Sequence, residues 1–476
     1  MMRIVQTFWS GGKSMLEDGF GWLHPEYHLM SWALSCLSLR DHYDEVALYT
    51  DSEGKRLLID TLHLPYSEVN VVYDGLSCPQ PHWAYPKLLT YSLQTSPFIH
   101  VDSDVYVPRR LGTTIEQAPL VAQNREVGTE YYKGMARQLL QSSLNLPENL
   151  LAELHKDVIS SYNAGFLGGN DLAFIHHYCQ IAFDYIDKNH LNDVDCPHAN
   201  VNDNILFEQI LFAVLTRDEH KVVTTVLDYS MHDRGYTYDG FCNLINYDVQ
   251  AFFHVLGGHK ANEKVCEMLC KTLLRKYPEY YRQIIQLFPS LNQRFTEETD
   301  LHRVPDISVQ ASMAQYQDFL CDLNKKWSLL STNELYLQEQ KAARFPEFLK
   351  AKPEEQKDFH IEKNPYMVIY EIPKQWPQKA VELLLTRLSC KHCQKNHYDV
   401  VLLPTLLGQG TKELAITDLA YNILNVLDYT DMYGDLLQLL KPGFDKEINE
   451  QDGKSEELTM KEITFLLYHG VITIKY

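Results

Sequence analysis

The stretch PFIHVDSDVYVP, running from Pro97 to Pro108, decides how this chain is read. Phe98–Val101 is a short apolar run of the kind that forms a buried strand, and polar residues follow it at once. Asp102 and Asp104 lie just past that run, one residue apart, with Ser103 between them. Two carboxylates so placed can turn toward one divalent cation and the diphosphate it carries. Hard oxygen ligands suit magnesium or manganese, which would neutralise charge on a nucleotide leaving group. The pattern is short and recurs at Asp193-Val194-Asp195, so surface acids capping a helix are the bland alternative.

The segments around it favour an α/β fold. Ile4–Trp9 reads as a first buried strand, Ser31–Leu39 has helical spacing, and Glu45–Tyr49 reads as a second strand. Lys55–Leu62 reads as a helix, Val69–Val72 as a strand, and Tyr85–Leu93 as a helix leading to Phe98–Val101. This alternation predicts a mostly parallel sheet with ligands at the carboxyl ends of its strands. Beyond residue 261 the strand signals fade. Asn262–Arg275, Glu279–Leu287 and Val309–Trp327 have amphipathic helical spacing, and PEFLKAKPEEQKDF is charged and punctuated by proline. Met367–Ile372 and Val400–Leu403 read as strands, then Thr417–Leu427, Met432–Leu440 and Thr459–Tyr468 as helices before a last strand, Val471–Ile474. The expected division is 1–290 for the α/β domain, 291–365 for a helical connector and 366–476 for an α+β module.

A chain of 476 residues is too long for a single core. Its 43 basic and 63 acidic residues give a net charge of −20, which repels phosphate backbones and argues against nucleic acid as a partner. An anionic substrate must therefore be met locally, by a metal or a few placed cations. The opening MMRIVQTFWSGGK does not read as a signal peptide, so no export is expected, and no run of about 18 apolar residues predicts a membrane span. The ten cysteines form no disulfide framework, so reduced thiols in a cytoplasm are expected.

The segment PKLLTYSLQTSPFIHVDSDVYV resembles the glycogenin-like glycosyltransferases, whose nucleotide-sugar-binding fold is of the kind called GT-A. The resemblance implies that Lys87 faces the donor and that Asp102 and Asp104 hold a metal. A second matching segment, SYNAGFLGGND, places Asn163, Ala164 and Gly165 at the family's donor-sugar turn. Small residues there let backbone approach a ligand, and an Asn amide can serve hydroxyls as donor and acceptor. A third, FFHVLGGHK, carries His254, Gly257 and Lys260 in the spacing H-x-x-G-x-x-K, about 150 residues past the acid pair. The family uses this His as a third metal ligand and this Lys on the diphosphate.

Between them, NVNDNILFEQILFAVL corresponds to an acid-Gln pair near the reacting sugar. Asp203-Asn204 and Glu208-Gln209 both offer themselves, and neither is the family's Asp-Gln, so the catalytic carboxylate stays open between Asp203 and Glu208, with Gln209 beside it. Thr7, Phe8 and Trp9 end the first strand where the family seats its base; an aromatic there can stack on uracil or fill the core. The resemblance covers residues 1–260 and implies transfer from a UDP-sugar with retention. The N-terminal text HLMSWALSCLSLRDHYDEVALYTDSEGK is also similar to a poorly characterised bacterial glycosyltransferase-like family.

Cys390 and Cys393, with His392 and His397, invite a zinc reading, but one knuckle falls short of the usual ligand set and reduced thiols fit better. Leu414–Tyr476 resembles winged-helix domains that hold leader peptides, which would make the acceptor a ribosomally made peptide; a packing or dimerisation domain is the alternative. Two rivals stand beside the transferase. An Asp-x-Asp phosphatase would use Asp102 as nucleophile, but places Thr or Val where this chain has Tyr106. A peptide-binding protein on a decayed transferase domain would have no need of Asp102, Asp104 and His254.

Overall fold

Arg3–Thr7 (β1) lies between two parallel partners, Val46–Thr50 (β2) and Phe98–Val101 (β4), and Glu68–Val71 (β3) extends the sheet beyond β2. β2 and β4 are buried along their whole length, as strands covered on both faces must be. The sheet has eight strands. Its order is β3-β2-β1-β4, then Ser160–Gly169 (β7), Leu120–Val127 (β6) and Val223–Thr225 (β8), with Ser230–Met231 (β9) also paired to β6. Only β7 runs against its neighbours. This is the mixed α/β architecture with a parallel-rich sheet that the alternation predicts.

The computed structural model describes all residues except 1, 80–81, 143, 194–200, 233–235, 237–239, 289–306, 373–397, 407–410, 444–453 and 476. The Cys390/Cys393 pair with His392 and His397, and two residues of the second Asp-x-Asp, lie outside the described residues. The seven described cysteines are free thiols. Among the described residues no helix is long and apolar enough to cross a membrane.

Strand order reverses between β1 and β4. From β1 the chain passes to β2 and β3 on one side, then returns to form β4 on the other. Crossovers that diverge in this way leave a crevice beyond the carboxyl ends of the two strands. Thr7 ends β1 there and Asp102 follows β4. The Pro25–Arg40 helix is buried on almost every face, and Ser31 and Ser35 reach from it to the loop after β4: Ser31 Oγ donates to the Ser103 carbonyl at 2.8 Å and Ser35 Oγ to the Val105 carbonyl at 2.7 Å.

Two segments differ from their expected form. Lys55–Leu62 is not a plain α-helix: an α-helical turn capped by Asp51 leads into a π-helix, Lys55–Thr61. Asn163-Ala164-Gly165 is not a turn after a strand but the interior of the ten-residue β7. Asn124 of β6 pairs with Asn163 and Ala122 with Leu167, so Ala164, Gly165 and Phe166 together face the single residue Gln123. That bulge supplies the backbone irregularity that the small residues signal.

By its internal contacts the chain divides into two compact units, Met1–Leu273 and Leu274–Tyr476. In the second, Val368–Ile372 (β12), Tyr398–Pro404 (β13) and Thr411–Ile416 (β14) form an antiparallel sheet, and Ile361–Lys363 (β11) pairs with Ile472–Ile474 (β15). The Ile307–Trp327 helix packs Met313 and Tyr316 into the core beneath β12 and β13. Helices Asp418–Val426, Tyr433–Leu440 and Lys454–His469 precede β15.

Candidate metal centre

Val105–Tyr106 (β5) pairs antiparallel with Phe253–His254 (β10), His254 opposite Val105. This short ladder carries a histidine from late in the first unit to the acid pair after β4, and the Val255 N–H donates to the Asp104 carbonyl at 3.0 Å. Asp102, Asp104 and His254 each offer a ligand atom, all within 4.8 Å of one another. Asp104 and His254 are buried, and the Asp102 side chain is 22% exposed.

Each carboxylate already meets a lysine. Lys260 Nζ lies 2.6 Å from Asp104, and Lys87 Nζ 2.8 Å from Asp102 and 2.6 Å from Glu208. Burial alone would raise the Asp104 carboxyl; the Lys260 ammonium and the His254 ring outweigh it and hold it well below the usual carboxylate range. Burial likewise works to lower the Lys87 ammonium, and the charges of Asp102 and Glu208 keep it raised instead. Burial pushes Glu208 up to about 7 against the pull of Lys87, with the Asp102 charge adding to the rise. The site is thus a patch of concentrated negative charge held by internal ammonium groups.

The donor set fits a hard divalent cation. His254 Nδ1 lies 2.7 Å from Gln123 Oε1, and Gln123 Nε2 donates to Asn124 Oδ1 at 3.0 Å, so the Gln123 oxygen accepts from the ring. That leaves Nε2 facing Asp104 Oδ1, 3.5 Å away, on the side where a metal ion would be held. A histidine ligand fixed through its other nitrogen is the arrangement metal sites use. Gly165 makes room for it: a Cβ there would stand 2.3 Å from Gln123 Oε1 and 2.7 Å from His254 Cε1. Its carbonyl also accepts from the Asp102 N–H at 3.0 Å, tying β7 to the acid pair.

The other expected residues are distributed unevenly. Of the two candidate acids, Glu208 is tied through Lys87 to Asp102, and Tyr91 donates to it at 3.0 Å. Asp203 instead meets His82 Nε2 at 3.1 Å, both side chains buried. Gln209 accepts from Tyr132 at 3.0 Å, and Asn163 Nδ2 donates to Glu126 at 3.2 Å while its oxygen accepts from the Gly165 N–H. Thr7 Oγ1 lies 2.6 Å from Thr90 and 3.1 Å from His100 Nε2. Ser103 contributes a carbonyl to the Ser31 hydroxyl, and Ala164 is core. Gly257 adopts φ +55° and opens the turn that ends at Lys260 and Ala261.

Phe8 is not open to a ligand. It is buried among Phe20, His28 and Trp32, with ring centroids 5.5 to 5.9 Å away, whereas Trp9 is half-buried. Sequence reasoning missed Gln123, His100, Glu126, Tyr132 and Tyr236. Glu126 accepts from Tyr236 at 2.6 Å and from the Tyr132 hydroxyl, joining β6 to the Asn163 amide. His100 sits inside the Pro97–Pro108 stretch without standing out there, and the other four belong to no motif.

Residues 2–287 match the family of unknown function DUF6734. The chain belongs to that family. Among curated proteins nothing matches. Solved structures with a similar arrangement include the glycosyltransferase GlyE of Streptococcus pneumoniae TIGR4, at 13% identity and a TM-score of 0.31 over 60% of this chain and 64% of that one. Its apo form gives 14% identity and the same TM-score. Mouse xyloside xylosyltransferase 1, also apo, gives 11% and 0.29 over 53% of this chain and 96% of that one. This chain thus spans a little under two thirds of GlyE.

Proposed function

We propose that the first unit is a metal-dependent glycosyltransferase of GT-A type, drawing on a UDP-sugar and acting on a hydroxyl or thiol acceptor. The observation that carries this reading is the meeting of Asp102, Asp104 and His254 within 4.8 Å, at the crevice where strand order reverses. Two acids and an imidazole that could hold a divalent cation, with Lys260 beside them, suit a nucleotide diphosphate.

Magnesium or manganese bound by Asp102, Asp104 and His254 would supply positive charge to the departing diphosphate. Lys260 shifts from Asp104 to the diphosphate oxygens, and Lys87 holds Asp102 and Glu208 in place. Asn163 and the backbone at Ala164 and Gly165 orient the donor sugar, with Glu208 and Gln209 beside it. Thr7 and Trp9 lie toward the base. The acceptor oxygen or sulfur bonds to the anomeric carbon, and the bond from that carbon to the diphosphate breaks with its electron pair leaving on oxygen. The acceptor proton passes to that oxygen, with retention at carbon. Placement and fixed charge do most of the work.

The proposal keeps residues 1–290 as the transferase domain, 291–365 as a helical connector and 366–476 as an α+β module. Element order alone supports peptide binding by that module. A phosphatase of that kind would place Thr or Val where this chain has Tyr106, and it gives His254 and Lys260 no role.

Hydrolysis of a UDP-sugar panel with manganese tests the reading. Wild-type turnover should vanish with chelator and in Asp104→Ala. Turnover indifferent to both would overturn it.

A further inference from the structure

A single exposed aromatic is ordinary on a protein surface. Trp83 differs in where it stands. Its side chain is 42% exposed, and Lys87 Nζ lies over its ring, 5.2 Å from the centroid. That ammonium is the one shared by Asp102 and Glu208. The indole therefore borders the candidate centre while keeping much of its surface in solvent. A second exposed ring, Tyr131, is 53% exposed and packs edge-on against Tyr132 at 5.8 Å. Tyr132 in turn reaches Gln209 and Glu126. An exposed aromatic ring thus adjoins this polar set through Lys87, and another through Tyr132.

The composition of that set narrows the ligand class. Asp102, Glu126 and Glu208 are carboxylates, and Asn163 and Gln209 are amides. Apart from Asp102 these groups are buried and hydrogen-bonded within the protein, and the carboxylates, like the net charge of −20, disfavour an anionic acceptor beside them. A flat aromatic surface close to one partly exposed carboxylate, Asp102, suits a pyranose, which carries C–H bonds on a face and hydroxyls on its rim. A peptide held by strand addition would instead need an open strand edge to pair with. The strands that build the centre offer none: β4 lies between β1 and β7, and β6 between β7 and β8. The β5–β10 ladder has only two residues on each strand.

We propose that Trp83 is the platform for a neutral saccharide acceptor, stacking on the C–H face of a pyranose whose hydroxyl receives the transferred sugar. This rests on the transferase reading. The acceptor hydroxyl oxygen bonds to the donor's anomeric carbon as the diphosphate leaves with the electron pair and takes the hydroxyl proton.

Saturation-transfer NMR on the full chain, with magnesium and UDP present, tests both layers in one tube. The probes are lactose, cellobiose and chitobiose, with a Ser/Thr hexapeptide as the contrasting ligand. UDP should receive saturation, and at least one disaccharide should receive it at ring C–H protons. Trp83→Ala should cut the disaccharide signal at least tenfold, Trp83→Tyr should restore most of it, and the UDP signal reports that each variant is folded. Loss of the UDP signal in wild type would overturn the transferase reading itself. With UDP bound, silence from all three disaccharides, a signal that Trp83→Ala leaves intact, or saturation of the hexapeptide alone would overturn the saccharide platform.

Discussion

The Lys260 ammonium lies 2.6 Å from Asp104 Oδ2, so a divalent cation held there would compete with a lysine for one carboxylate. The same residue that steadies the acid is the one a diphosphate would draw away. Metal and donor should therefore bind with mutual support, the donor relieving the competition that the metal meets alone.

Removing the competitor should separate the two roles. In Lys260→Ala, manganese alone should bind about tenfold tighter, roughly 1.4 kcal/mol. Donor turnover should fall by about 100- to 1,000-fold as the leaving group loses its cation. Calorimetry with manganese and a donor hydrolysis assay read the two effects. Weaker manganese binding would refute the competition.

Gly165 and Gln123 support the imidazole from behind. Gly165→Ala forces a Cβ into Gln123 Oε1 and the His254 ring, and should weaken manganese binding about 10- to 100-fold. Gln123→Leu, which removes the hydrogen bond at 2.7 Å, should do the same. Manganese titration followed by electron paramagnetic resonance checks both. Unchanged affinity in both variants would exclude His254 as a ligand.

Glu208 is fully buried, yet it reaches the acid pair only through Lys87. Glu208→Gln should lower kcat by at least about 100-fold while UDP binding stays within a few-fold of wild type. Asp203→Asn, at the acid that pairs with His82, should show mainly reduced stability, seen as a lower Tm. Reversal of that pattern would make Asp203 the acid near the sugar.

His28 gives the fold an acid-sensitive element. Burial, with the Lys260 charge adding to it, holds its pKa down from 6.5 to about 3. On unfolding the ring takes up a proton that the folded chain refuses. The stability it contributes is complete above pH 6.5 and is lost as pH falls toward 3, by at most ~1.4 kcal/mol per unit. His28→Gln should flatten that share of the slope in urea unfolding at pH values from about 7 down to 4.5. An unaltered slope would show that the ring does not titrate on unfolding.

The parts of this protein that repeat a local rule were legible in its sequence. Buried parallel strands such as Val46–Thr50 read as apolar runs, and the acids after Phe98–Val101 stand out because polar residues interrupt one. His254 and Lys260 were legible only because their spacing resembles that of the glycogenin-like family. Gln123 was not, because its partner His254 lies 131 residues away and only strand register brings them together. Tyr236 was hidden for the same reason, 110 residues from Glu126, while Glu126 and Tyr132 lie six apart with nothing local to mark them. Phe8 illustrates the opposite limit: an aromatic at a strand end carries no sign of which way it points, and here helix Pro25–Arg40 and Phe20 enclose it.

The three residues of β7 that oppose Gln123 make local chain length a determinant of chemistry. Side chains along a strand alternate between faces, so losing one residue from Ala164–Phe166 would reverse the orientation of the upstream segment. Asn163 would turn away from Glu126, and Ser161 away from Tyr132. Among natural variants of this sheet, changes of residue type at the bulge should be far commoner than changes in its length.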